Sequence, residues 1–153
     1  MKAQLIFRHT PCNWHNGITG IGSWLIRKIT RCDYDHVEVL LYGDICISAT
    51  FNGVIGKDLH RWEKLYKNQR SIVRQINTGH TQKDIKMAYE ITEGIKYDYW
   101  SLVCHLVYRI TGKWIGRGKD GKNRFYCSEW CAYALGIDKW YRKDVKRLYE
   151  MTF

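Results

Sequence analysis

The chain has 153 residues, which suits one domain large enough to fold without disulfide or metal staples. Hydrophobic residues make up 45% and aromatic residues 14%, a composition that excludes a disordered chain. The net charge of +10 suits polyanionic partners such as nucleic acid, anionic lipid headgroups or acidic wall polymers, without choosing among them.

The first residues, 1–8, hold only a short apolar run and no small-residue cleavage site, which argues against a secretory signal. No apolar stretch approaches the length of about 18 residues that a transmembrane helix needs. We therefore expect a protein made in soluble form in the cytoplasm. Its six cysteines are expected to be free thiols, with Cys46 and Cys104 in the core because both lie in apolar runs.

The first half of the chain predicts strands and short helices. A short strand over 3–7 precedes a turn-rich loop over 10–22, and Ser23 then caps a helix over 24–30. Two β-branched runs, 36–42 and 45–50, are joined at Gly43-Asp44 and predict an antiparallel hairpin. Residues 54–55 continue the sheet, 58–66 form a short helix, and 71–76 form a third main strand.

The second half is mainly helical. Thr81 caps a helix that ends at Gly94, and a second helix covers 100–110. A glycine- and lysine-rich stretch, 112–123, predicts a mobile loop of a length often associated with function. Helices over 128–135 and 143–151 close the chain. The pattern indicates an α+β fold in a single domain, 1–153, with a small antiparallel sheet packed against helices.

Two short motifs far apart in the chain predict a thiol nucleophile site: DHVEV at 35–39 and FYCSEW at 125–130. Cys127 opens a helix, where the backbone dipoles favour a thiolate and where its own amide could help to hold an oxyanion. His36 opens a strand, which is a rigid mount for a general base. Cys131, one turn after Cys127, should be buried.

The other titratable groups near these motifs have simpler explanations. His105 lies within an apolar helix, where a packing role is favoured. Asp98 and Glu129 both lie near helix starts, where a carboxylate suits the cap and the dipole. The remaining histidines fall in loops or polar segments and are less firmly mounted: His9, His15, His60 and His80.

A family resemblance is carried by HVE at 36–38, SAT at 48–50 with Gly53-Val54, YDY at 97–99 and FYCSE at 125–129. In this order the motifs resemble the circularly permuted papain-like proteins of the NlpC superfamily, the YiiX-like proteins and their phage and poxvirus relatives, over about 20–135. The resemblance implies a papain-like fold in which histidine precedes cysteine. It also implies that Cys127 is the nucleophile and His36 the general base, acting on an amide or ester through an acyl-enzyme.

The third catalytic residue is where the chain departs from this family. Many relatives carry a glutamate in the strand after the histidine, and this chain has Ser48 there, which would orient an imidazole more weakly than a carboxylate. Glu38 lies two residues after His36 and therefore on the same strand face. We predict Glu38 as the orienting residue, with an exposed strand glutamate as the alternative.

Two readings compete with a thiol enzyme. A zinc site could use Cys12 and His15, or Cys104 and His105 with Cys127 and Cys131, although zinc sites usually show tighter cysteine pairs. A non-catalytic nucleic-acid-binding or virion structural protein would draw on the positive charge and on seven tryptophans and eleven tyrosines. We predict neither a metal nor a cofactor.

The substrate follows from the resemblance and the charge. Relatives of this kind include peptidoglycan peptidases and amidases, and others that act on lipids or acyl chains. The basic composition suits an anionic wall polymer, so we expect a cysteine-dependent hydrolase of peptidoglycan peptide or amide bonds. A phage-encoded protein, carried with virion proteins or released at lysis, fits a compact chain without a signal.

Overall fold

The computed structural model of the chain describes residues 1–11, 17–41, 44–65, 69–116 and 123–153, and for 17–19, 62 and 65 the backbone alone. Within these ranges the chain forms one five-stranded sheet in which every neighbouring pair is antiparallel. In chain order the strands are β1 (Lys2–His9), β2 (His36–Leu41), β3 (Ile45–Thr50), β4 (Gly53–Asp58) and β5 (Arg70–Asn77). Their order across the sheet is β4-β3-β2-β1-β5.

Six α-helices occur in the described ranges: α1 (Gly17–Thr30), α2 (Leu59–Leu65), α3 (Gln82–Thr92), α4 (Tyr99–Thr111), α5 (Cys127–Ala134) and α6 (Val145–Glu150). A 3₁₀ turn, Trp140–Arg142, precedes α6. The predicted α+β class with a small antiparallel sheet is confirmed. None of the described helices combines the length and the apolar character that a bilayer crossing requires.

Local signals set several of these boundaries. Thr81 caps α3 by accepting from the Asp84 amide, and Asp98 caps α4 by accepting from the amides of Trp100 and Ser101, as expected for both residues. Gly112 ends α4 in the left-handed conformation at φ 70°, a backbone that glycine adopts at little cost.

Helix α1 corrects the sequence prediction. Residues 17–22 were expected to belong to a loop because glycines are frequent there, yet they form the first turns of a helix that runs without a break to Thr30. Burial of Ile26 and Ile29 in the apolar interior stabilises this helix and overrides the poor propensity of glycine. Residues 12–16 of the predicted first loop and 117–122 of the predicted second loop lie outside the described residues.

The core lies between one face of the sheet and the C-terminal helices. Alternate residues of β1 and β2 face it and are almost completely buried, as the period of two requires: Leu5, Phe7, Val37 and Val39. They pack with Trp130 of α5 and Leu148 of α6 in one apolar cluster. Cys46, Cys104 and Cys131 are buried as predicted.

Strands β2 and β3 separate at the end of their hairpin where β2 begins and β3 ends. Its register runs from Val39 opposite Ile47 to Leu41 opposite Ile45, so the first residues of β2 lie beyond the ladder. There the carbonyl of Val37 accepts from the Ser48 hydroxyl at 2.6 Å and from the Cys131 thiol at 3.5 Å. Helix α5 contacts both strands and approaches the sheet where they separate.

At Gly53 the start of β4 lies close to the backbone of the chain segment that precedes α4. Its φ is +101°, and a Cβ at this position would lie 2.8 Å from the carbonyl oxygen of Ile95. That carbonyl accepts from the Val54 amide at 2.9 Å, so it cannot withdraw without breaking a backbone hydrogen bond.

We therefore expect Gly53→Ala to lower the free energy of unfolding by at least about 1–3 kcal/mol, through backbone strain and the contact with Ile95. Urea denaturation measures this change. Gly79→Ala is the matched control, because a Cβ there meets no atom within 4 Å. Equal stability of the two variants would contradict the close approach at Gly53.

Candidate active site

The cysteine of the predicted pair is the first residue of α5. The amide of Tyr126, just before the helix, donates to Glu129 Oε2 at 3.1 Å, and the Ser101 hydroxyl donates to Glu129 Oε1 at 2.8 Å. Glu129 thus has the structural role at the helix start that the sequence favours. Because the first amides of a helix have no acceptor within it, this end of α5 presents N–H groups near the thiol.

The histidine and the cysteine lie side by side. The His36 imidazole is hydrogen-bonded to the Cys127 side chain. The Cys127 thiol also lies 4.0 Å from the carbonyl oxygen of Asp35, the residue just before β2. His36 and Cys127 are 91 residues apart in the sequence. They meet because α5 packs against the open end of the β2–β3 hairpin.

Glu38 lies next to the same imidazole. Its Oε1 is 3.4 Å from His36 Nε2, and its side chain is completely buried. With Nε2 turned toward Glu38, we infer that Nδ1 is the ring nitrogen that meets the thiol. The alternative of an exposed strand glutamate is excluded by the burial of this carboxylate.

Arg8 of β1 holds the other side of Glu38. Its Nε donates to Glu38 Oε2 at 3.1 Å, and its Nη2 lies 3.0 Å from the same oxygen. In the sheet register Arg8 lies opposite His36 and Ile6 lies opposite Glu38, so these side chains share one face. The result is a series of groups in the order Arg8, Glu38, His36 and Cys127, in which His36 is partly exposed and the other three are buried.

The protonation of His36 follows from these contacts. Burial by itself lowers its pKa, but the hydrogen bond with Cys127 and the contact with Glu38, together with the negative charges of both, raise the pKa to about 10. Burial raises the pKa of Glu38, and the contacts with His36 and Arg8 outweigh it and lower that pKa below the usual range. At neutral pH, His36 is therefore an imidazolium that lies between the Glu38 carboxylate and the Cys127 side chain.

Ser48 occupies the position at which the family resemblance implies an acid. It is buried, and its hydroxyl donates to the carbonyl of Val37 at 2.6 Å. Extrapolating the hairpin register places Ser48 across from Glu38. The hydroxyl thus supports the backbone between His36 and Glu38, while the carboxylate that contacts the imidazole comes from the same strand as the histidine.

Two further residues that support the site were missed by sequence reasoning. Arg8 directly follows the strand predicted over 3–7, and its partner could be found only from the strand register. Asp35 was part of the quoted motif without a role. Its Oδ1 accepts from Arg27 Nη1 at 2.8 Å and from the Thr10 amide at 2.7 Å, which ties α1 and the end of β1 to the start of β2.

Aromatic rings form one wall of the site. Burial raises the pKa of Tyr97 and of Tyr126 well above the usual range, and the negative charge of Cys127 adds to both shifts. The Tyr97 ring lies 5.1 Å from Phe51 and 5.1 Å from Tyr99, measured between ring centroids. Phe51 and Tyr99 are about half exposed, so this cluster leads from the thiol to the surface.

The sulfur itself is covered, and the exposed part of the pair belongs to the imidazole. Cys127 has no solvent-exposed area, whereas 20% of the His36 side chain is exposed. A separate surface cavity of about 260 Å³, lined by residues that include Lys2, Leu40 and Gln75, contains none of the three predicted site residues.

The zinc alternative finds no group of ligands in the part of the chain that the structure describes, where no three histidine, cysteine or acidic side chains are placed to hold a metal ion. Cys12 and His15 lie outside the described residues. His105 is buried, its Nε2 lies 3.7 Å from Glu129 Oε1, and its ring packs against Trp114. These contacts agree with the packing role that the sequence favours.

Comparison with models of known protein families and with curated proteins finds no match to this chain. The functional assignment therefore depends on the chemistry of the site and on the motif resemblance.

The two contacts of His36 predict how its titration responds to mutation. We expect the imidazole to titrate near pH 10 in the wild type, and its pKa to fall in Glu38→Gln and in Cys127→Ala, because each variant removes a contact that raises the pKa and leaves burial, which lowers it. NMR of the His36 ring measures this. Glu63→Gln is the control, since Glu63 is an exposed residue of α2 whose carboxylate lies 3.9 Å from His60 and does not contribute to the pKa of His36. A His36 pKa that is equal in all four proteins would contradict the arrangement.

The cysteines should differ in reactivity. Burial and the charge of Glu38 raise the pKa of Cys46 to about 12, and burial also raises the pKa of Cys32 and of Cys131. With iodoacetamide at pH 7, we expect the first adduct among these four thiols on Cys127, and a rate at least about tenfold lower in His36→Ala. Mass-spectrometric mapping of the adducts tests this, and even labelling of the four thiols would refute it.

Proposed function

We propose that the protein is a papain-like cysteine hydrolase that cleaves amide bonds through a thioester acyl-enzyme. The observation that carries the proposal is the series Arg8, Glu38, His36 and Cys127, in which a thiol at a helix start meets an imidazolium held by a carboxylate. A nucleophile, a base and a group that orients the base are the parts that acyl transfer requires.

The proposed reaction has two halves. The Cys127 thiolate attacks the substrate carbonyl carbon, the C–N bond breaks, and the His36 imidazolium gives its proton to the leaving amine. Water then attacks the thioester carbonyl carbon while His36 accepts one of its protons, the C–S bond breaks, and the carboxylic acid leaves with the Cys127 thiolate and the His36 imidazolium restored. In this proposal the amides of the first turn of α5 stabilise the oxyanion in both halves.

We further propose that the fold is a permuted papain-like one. Two features support this: the histidine strand precedes the cysteine helix in the chain, and α5 approaches the sheet at the strand that carries the histidine. The orienting acid is proposed to be Glu38, with Ser48 in a supporting position, which departs from the pattern that the resemblance implies.

Peptide or amide bonds of peptidoglycan are the substrate we propose. The support is the net charge of +10, which favours association with an anionic wall polymer. A second candidate, an ester or amide of an acyl chain, is favoured by a different observation. Half-exposed Phe51 and Tyr99 continue the aromatic wall of the site to the surface and would contact an apolar substrate.

Purified peptidoglycan tests the first substrate. We expect the wild type to release soluble fragments with new amino termini, and Cys127→Ala and His36→Ala to lower the rate by at least about a thousandfold, because each removes a reacting group. Glu38→Gln should retain partial activity, lower by about ten- to a hundredfold, since His36 loses its carboxylate but not its place on β2.

Cys32→Ala is the matched control, because this half-buried thiol lies outside the site and should leave the rate unchanged. A wild-type rate equal to that of Cys127→Ala on peptidoglycan, with turnover of a long-chain thioester or ester, would move the assignment to the second candidate. If the wild type and Cys127→Ala have equal rates on peptidoglycan and also equal rates on the ester or thioester, the proposal of a thiol hydrolase is refuted.

A further inference from the structure

An exposed apolar face extends along two neighbouring helices, α1 and α4, which contact each other. We call it the α1–α4 face and define it by Ile21, Trp24 and Leu25 of α1 and by Trp100, Val103 and Ile110 of α4. All six side chains are more than 40% exposed. Trp24 and Leu25 follow Ile21 by three and four residues, and Val103 and Ile110 are three and seven residues apart from their predecessors, so each set lies along one side of its helix.

Phe51 connects the two stripes to the proposed active site. A Cβ on Gly22 of α1 would lie 3.7 Å from Phe51 Cζ, so the ring lies against that helix. On its other side Phe51 stacks on Tyr99, the first residue of α4, with an interplanar angle of 10°. The α1–α4 face therefore begins beside the aromatic wall of the site and runs away from it along α4.

The charge of these helices is one-sided. Neither α1 nor α4 contains an aspartate or a glutamate, whereas the other long helix away from the site, α3, carries both. Exposed basic residues border the α1–α4 face at Lys28, Arg31 and Lys113, and Lys28 Nζ lies 5.9 Å from the centre of the Trp24 ring.

From this combination we propose that the α1–α4 face docks on the surface of an anionic lipid bilayer. Tryptophan and tyrosine place their rings at the level of the headgroups, aliphatic side chains reach the acyl boundary, and lysine and arginine pair with anionic headgroups. The protein would lie on the bilayer without crossing it, and the end of the face beside Tyr99 would bring the opening of the thiol site close to the membrane.

A second copy of the chain fits the face less well. A symmetric contact between two such faces would place the bordering basic residues of both copies together, and no carboxylate on α1 or α4 would compensate them. An anionic bilayer supplies the opposite charge along with the apolar layer.

Vesicle sedimentation tests the proposal on the full chain. The probes are vesicles of phosphatidylcholine alone and of phosphatidylcholine with about one third phosphatidylglycerol. We expect partitioning into the anionic vesicles to be at least about tenfold stronger, and to weaken as salt is added. Trp24→Gln/Ile110→Gln should lower it by about tenfold or more, because two interfacial side chains are lost.

Matched control variants on α3 distinguish an effect of the α1–α4 face from a general effect of losing any exposed apolar or basic side chain. Ile91 on α3 is 69% exposed and Ile110 is 74% exposed, so Ile91→Gln should bind within about twofold of the wild type. Lys28→Gln/Lys113→Gln should weaken anionic binding several-fold, and Lys83→Gln on α3 should change it little. Thermal unfolding by circular dichroism confirms that each variant is folded.

Three results would overturn the proposal. They are wild-type binding that is absent or equal on both vesicle types, an Ile91→Gln loss as large as that of the α1–α4 variant, and a wild-type dimer in light scattering that Trp24→Gln/Ile110→Gln dissociates. The docking proposal does not depend on the proposed hydrolase activity. Cys127→Ala should bind vesicles as the wild type does, so loss of catalysis and loss of docking are measured separately.

Discussion

The rest of the site depends on one buried carboxylate, that of Glu38. A buried charge is costly unless it is paired, and Glu38 is paired on both sides, by the Arg8 guanidinium and by the His36 imidazole. Removing one partner of such a buried pair typically costs about 3–5 kcal/mol. The pairing therefore fixes the imidazole in place and keeps it protonated. The Cys127 side chain is the second group that contacts this imidazolium.

The opening of the β2–β3 hairpin makes room for this arrangement. If the ladder of β2 and β3 continued to the start of β2, the carbonyl of Val37 would bond to backbone; instead it accepts from Ser48 and Cys131 side chains. Buried backbone carbonyls need a partner, so these two small polar side chains allow the strands to separate without leaving one unpaired. Helix α5 then contacts both strands, and its first residue reaches His36.

Charge and apolar surface are distributed unevenly over the molecule. The carboxylates near the site are buried and committed to Arg8, His36 and the start of α5, whereas α1 and α4 carry basic and apolar side chains without acids. Phe51 and the tyrosines near it join the two regions.

The sequence by itself determined the class of the fold, most of the helices and strands, and the two motifs that hold Cys127 and His36. These follow from local rules: capping residues, alternation in strands, and the helix start that favours a thiolate. The length of α1 did not follow, because burial of Ile26 and Ile29 outweighs the glycines that suggested a loop.

Only the tertiary structure decided how the site is held. The role of Arg8 depends on the register between β1 and β2, and the burial of Glu38 depends on what covers the sheet, neither of which a local pattern contains. The same is true of the α1–α4 face, since the exposure of an apolar helix stripe is settled by which helix packs on it. Contacts between residues distant in sequence are set by the packing of the whole chain. The raised pKa of His36 depends on such a contact, the one with Cys127.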